Sequence, residues 1–134
     1  MKEPDIISLI EKFNSLHLSN TIDFDKFNQY AITRHSTTIE GSTLTEIETR
    51  LLLDEGITPK GKPLRHSLMV QDHYNTLLFI IHAAKENKPV SPQFILQINA
   101  KVLKPTGTVY QTVFGELDSS KREFRKCNVS AGNA

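Results

Sequence analysis

The sequence predicts a mainly α-helical bundle of about five helices with a short C-terminal β-hairpin. Three observations lead there. Apolar residues recur at helical spacing through most of the chain. Caps and breakers separate those stretches at intervals suited to helices. From Thr108 onward the composition turns β-branched and aromatic. The 134 residues fit one domain with a real core. By character it divides into N-terminal helices over 1–42, scaffold helices over 43–105 and a hairpin over 106–134.

Pro4 stands where a first helical turn tolerates proline. Ile6, Ile7, Leu9, Ile10, Phe13 and Leu16 then recur at helical spacing to about Leu18, and Ser19-Asn20-Thr21 breaks the pattern. A second helix begins near Asp23 and carries Phe24, Phe27, Tyr30 and Ala31 on one face, read as core. Thr45 with Glu48 three residues later forms a capping box, which satisfies free backbone donors at a helix start. Ile47, Leu51 and Leu52 supply that helix's stripe, and Gly56 ends it. Residues 57–63 form a Pro- and Gly-containing basic loop, read as a solvated linker.

The longest helical pattern runs from Leu64 to about Glu86, with Leu64, Leu68, Leu77, Leu78, Ile81 and Ala84 as core candidates. It spans roughly 30 Å and is the expected spine of the bundle. Asn87-Lys88-Pro89 stops it. Ser91-Pro92 opens the next helix, a capping hydroxyl followed by a residue whose missing N–H is no loss there. Phe94, Ile95, Ile98 and Val102 form its stripe, and Lys104-Pro105 terminates it. Strands are expected over 108–114 and, less strongly, 123–129, joined through 115–120.

Composition excludes several classes. Apolar residues make up 38%, charged residues 23%, and the formal net charge is +1. A dedicated nucleic-acid binder carries a basic excess that is missing here. The single Cys127 allows no internal disulfide and suits a reducing cytoplasm. No segment has the form of a signal peptide or of a membrane span. Of the five histidines, His66 and His73 are two turns apart on the long helix, about 10 Å along the axis. One zinc needs its ligands at about 2 Å, so these are read as structural or surface residues. No nucleophile elbow or phosphate loop occurs, and no catalytic residue and no metal ligand is assigned.

One stretch at the end of the second helix stands out: Ser36-Thr37-Thr38-Ile39-Glu40-Gly41. Glu40 falls near a helix C-terminus, where the macrodipole disfavours negative charge by a few tenths of a kcal/mol. Gly41 offers the left-handed conformation that closes helices. On these grounds alone a solvated carboxylate is the default. The stretch resembles the inhibitory motif of Fic-family adenylyltransferases: a Ser or Thr, three arbitrary residues, Glu, then Gly or Asn. Ser36, Glu40 and Gly41 fill those places, and the following segment to Glu48 is similar to the one that succeeds the motif. A second likeness lies at Phe124-Arg125-Lys126-Cys127-Asn128-Val129, which resembles the start of the family's flap, a hairpin that holds a target segment by strand addition. The likeness covers roughly 34–134, and residues 1–33 are compatible without being diagnostic.

The resemblance implies a protein that transfers AMP from ATP to a Ser, Thr or Tyr hydroxyl of a target protein. Ser36, Glu40 and Gly41 would carry autoinhibition, and Phe124, Arg125, Asn128 and Val129 would dock the target. In that family the inhibitory Glu pairs with an Arg that otherwise holds the ATP γ-phosphate. That Arg belongs to a His-Pro-Phe-x-x-Gly-Asn-Gly-Arg signature, which does not occur in these 134 residues. The chain would therefore correspond to an N-terminal half, inactive as it stands, with no cofactor of its own; ATP and magnesium are implied for a complete enzyme. Expected partners are a target of AMPylation or a catalytic Fic half, with no nucleic acid and no membrane. Apolar faces left without covering helices would lead to self-association, domain swapping or disorder of the C-terminal segment. The alternatives are an antitoxin-like inhibitor acting in trans on a catalytic Fic chain, and a helical protein-interaction module unrelated to nucleotides.

Overall fold

A computed structural model describes residues 5–18, 21–113 and 115–124. It contains five helices, α1 (Ile6–Ser15), α2 (Phe24–Ile39), α3 (Glu46–Glu55), α4 (Leu64–Lys85) and α5 (Pro92–Val102), then strands β1 (Val109–Thr112) and β2 (Gly115–Asp118). The caps predicted for α3 and α5 are in place, and Asp23, expected only near the start of α2, caps that helix. Asp23 accepts from the Lys26 amide at α2, Thr45 and Glu48 complete a reciprocal capping box at α3, and Ser91 accepts from the Phe94 amide with Pro92 following at α5. Gly56 closes α3 in the left-handed conformation.

The 22 residues of α4 make it about 33 Å long. It is the spine: α2, α3 and α5 all pack against it. Leu44, Leu52 and Val70, with Leu53 beside them, form the apolar centre between α3 and α4. A tilted pair, Phe79 and Phe94, joins α4 to α5 at 5.6 Å between ring centroids, with Lys88 and Lys101 over the rings. Tyr30 meets Tyr74 edge to face at 5.4 Å where α2 crosses α4. Among the described residues no helix is long and apolar enough to cross a membrane.

The interior differs from the expected apolar stripes. Thr33, Thr37, Thr49, Thr76, Ser42 and Ser67 are buried, whereas Leu64 and Ile47 are 63% and 72% exposed, and Phe27, Leu51, Leu78 and Ala84 also face outward. A threonine can line a helix–helix seam because its hydroxyl is satisfied within its own helix. Thr37 donates to the Thr33 carbonyl at 2.9 Å and Thr76 to the Asp72 carbonyl at 2.7 Å. The remaining β-branched methyl then packs like a small apolar group. The apolar residues of α1 are all exposed, and its link to α2 is an edge contact between Phe13 and Phe24 at 6.0 Å.

The hairpin is tighter than expected. β1 pairs antiparallel with β2 in the register Val109↔Asp118 to Thr112↔Gly115, so the connection is two residues long. Gly115 opens β2 with φ of 108°, a conformation that glycine adopts without steric cost. The second strand therefore lies at 115–118, inside the segment expected to be a loop, and Glu123 and Phe124 are not in a strand. Residues 125–129 of the expected strand lie outside the described residues.

Candidate functional site

The end of α2 is built as a complete helix stop. Gly41, at φ of 97°, donates to the Thr38 carbonyl at 3.0 Å, and Ser42 donates to the Thr37 carbonyl at 2.9 Å. These two bonds are the Schellman pattern, which consumes carbonyls that would otherwise be free. Glu40 is the C-cap residue and its side chain is exposed, while Ser36 one turn earlier is half-buried. The last turn of α2 holds no basic residue. Among the described residues Glu40 makes no ion pair. A fixed carboxylate thus sits at the negative end of a helix dipole with its charge uncompensated.

The loop behind Gly41 is anchored rather than free. Ser42 is buried and its hydroxyl accepts from the Leu44 amide at 3.4 Å. The Thr43 amide donates to His66 Nδ1 at 3.3 Å, and its hydroxyl lies 3.0 Å from the same nitrogen. The Lys62 ammonium donates to the Thr43 carbonyl and pairs with Glu48 at 3.3 Å. Glu48 is held below the usual carboxylate range, first by the Thr45 backbone N–H it accepts from and then by the Thr45 hydroxyl and Lys62. Lys62, read from sequence as part of a solvated linker, is committed to this loop.

The hairpin root is fastened to the same end of α4. Arg65 donates through Nη2 to the Thr106 carbonyl at 3.3 Å, one residue before the His66 that holds Thr43. Asn99 of α5 donates to the Ser119 carbonyl at 3.1 Å. Thr108 and Ser119 exchange bonds of 2.7 Å and 3.0 Å across the base of the strands. Gly107 is obligatory here: a Cβ would stand 2.7 Å from the Ser120 Cβ and 2.9 Å from the Leu103 oxygen. Asp118 accepts from the Ser120 amide and hydroxyl, which together hold its carboxyl low.

The α2 stop and the hairpin root thus share the N-terminal end of α4. Among the described residues no third strand covers the hairpin, and an uncovered strand edge is suited to strand addition. Val109, Tyr110 and Val113 are exposed along it. Phe124 is 59% exposed beyond the hairpin, and Arg125, Asn128 and Val129 lie outside the described residues. Ser36, Glu40 and Gly41 are brought together by α2 itself. Arg65 and His66 link the two parts; Arg65 was not singled out from sequence, and His66 was read there only as a structural or surface histidine. Among the described residues no group of three or more His, Cys, Asp or Glu is arranged to hold a metal. No protein-family model matches the chain, and no curated protein and no solved structure matches it.

Proposed function

We propose that this chain is the regulatory and target-docking N-terminal part of a Fic-type protein AMP-transferase, with Glu40 as its inhibitory carboxylate. The observation that carries the reading is the state of Glu40. It stands at a hydrogen-bonded helix stop, exposed, without an ion pair among the described residues, and its following loop is tied to the end of α4 where the two-stranded hairpin is rooted. An arginine from a catalytic signature, brought against this carboxylate, would gain a charge-assisted bond worth ~1.5–3 kcal/mol. That arginine would then be withheld from the ATP γ-phosphate. ATP and magnesium belong to the complete enzyme, and the hairpin would hold the target segment by main-chain pairing. A reducing cytoplasm is the compartment that the lone Cys127 suits.

The test is AMP transfer from labelled ATP by a polypeptide that joins this chain to a Fic catalytic signature. Glu40→Gly is expected to raise transfer at least about tenfold, with Glu40→Gln intermediate. Equal activity of parent and Glu40→Gly would remove the assignment.

A second reading, an inhibitor acting in trans, draws on the apolar face of α1 and its C-cap, where Ile6, Ile7, Leu9, Ile10, Phe13 and Leu16 all remain exposed within the described fold. Such a face is suited to covering by another chain or by a second copy. Inhibition of a separate catalytic Fic chain by this chain, lost in Glu40→Gly, distinguishes that reading from the first. A third reading, a module unrelated to nucleotides, is left if neither experiment responds to Glu40.

A further inference from the structure

Between α2 and α3 lies a cavity of about 410 Å³, lined by no residue of the 36–42 helix stop or of the hairpin. Ile22, Phe27 and the ring of Tyr30 give it apolar walls, and Arg34, Thr49 and Arg50 contribute polar atoms. Two of those atoms are unusual. Thr49 is 1% exposed, yet its hydroxyl has no hydrogen-bond partner among the described residues. Arg34 Nε is also buried and unpartnered. Buried donors are nearly always paired, so two orphans on residues that line one cavity mark a place where an acceptor is missing.

The donors around the cavity define what that acceptor is. Lys26 is engaged by Asp54. Arg34 and Arg50 stand against Asp23 and Glu46, so the remaining lining charges balance and the arginines count as directed donors, not as excess charge. The Tyr30 hydroxyl is turned to Asp54, so tyrosine offers the cavity its ring alone. A planar guanidinium fork with Nε free matches a carboxylate, whose two oxygens it meets side by side. A phosphate dianion would need more donors and would gain nothing from the apolar walls.

We propose that this cavity binds a small carboxylate with an aromatic or other apolar body. The Arg34 fork and the Thr49 hydroxyl hold the carboxylate, Ile22, Phe27 and Tyr30 hold the body, and Arg50 adds a donor at the wall. The site stands independently of the reading given to Glu40.

The experiment titrates the isotope-labelled full chain with phenylacetate and, separately, with inorganic phosphate, following the Arg34 Nε–H and Thr49 amide resonances. Phenylacetate is expected to give saturable shifts in the millimolar range, and phosphate only weak, unsaturated ones. Thr49→Val, which removes a hydroxyl at constant shape, and Arg34→Lys, which keeps charge but loses the fork, should each weaken phenylacetate about tenfold or more. Should Arg34→Lys lose its dispersed spectrum, the near-isosteric Thr49→Val carries the test alone. Absence of saturable shifts, phosphate binding as tightly as phenylacetate, or wild-type affinity in the folded variants overturns the proposal.

Discussion

The Tyr30 hydroxyl donates a 2.7 Å hydrogen bond to Asp54 Oδ1 and ties the middle of α2 to the last turn of α3. Lys26 reaches the same carboxylate oxygen. Burial and then the Asp54 partner push the Tyr30 phenol well up from its ordinary value, and Lys26 followed by Tyr30 holds Asp54 low. Tyr30→Phe keeps the edge contact with Tyr74 and deletes the bond alone. A loss of ~1 kcal/mol is expected, read as a lower urea midpoint at an unchanged slope.

His73 reports on the α2–α4 seam. Its Nδ1 lies 3.3 Å from the Thr33 hydroxyl, and burial pushes the imidazole below its ordinary 6.5. A depressed folded value means that the unfolded chain takes up the proton first. Stability is then fully present above the unfolded value and declines as pH falls below 6.5 toward the folded value. The decline should stay under about 1 kcal/mol because the ring is half solvated. Urea midpoints between neutral and mildly acidic pH should fall in the parent and flatten in His73→Gln.

Asp72 works in the opposite direction. Its Oδ2 is buried without a partner, and burial raises the carboxyl above its ordinary 3.8, partly offset by Lys104. The folded state holds this proton longer, so stability falls as pH rises from 3.8 through the folded value and stays lower at neutral pH. Asp72→Asn should therefore stabilise at neutral pH by on the order of 0.5 kcal/mol, given partial screening. Its advantage should vanish in acid, as denaturation at the two pH values would reveal.

Two glycines predict different failures. At Gly41 nothing would touch an added Cβ, so Gly41→Ala incurs only the left-handed backbone penalty, ~1–2 kcal/mol. Hydrogen exchange should quicken in the last turn of α2 and leave the hairpin unchanged. At Gly107 an added Cβ strikes Ser120 and the Leu103 oxygen, and ~1–3 kcal/mol of overpacking is expected. There the exchange should quicken across 109–118 instead.

Caps made the helices legible. Asp23, the Thr45–Glu48 box, Gly56, Ser91-Pro92 and Gly41 each perform the backbone task their chemistry implies, so element order and bounds follow from local signals. Burial was harder to read. Apolar periodicity pointed to Leu64, Ile47 and Ala84, but the seam is filled by Thr33, Thr49 and Thr76, whose hydroxyls make them look polar in sequence. The hairpin turn misled for a related reason. Val113-Phe114 lacks the Asn, Asp or Gly that two-residue turns favour, and Gly115 follows the bend instead of sitting in it. At the candidate site, Ser36, Glu40 and Gly41 were visible because one helix carries them all. Arg34 and Thr49, on separate helices and in no motif, become neighbours of one cavity only when α2 and α3 fold together.

Arg65 and His66 are consecutive, yet successive residues on a helix diverge by about 100°. One grips the base of the hairpin and the other the loop behind Gly41. The first turn of α4 is consequently a yoke: any roll of that turn drags both tethered segments in concert or snaps one of two hydrogen bonds. A pull on the hairpin is thereby felt at the loop behind Gly41.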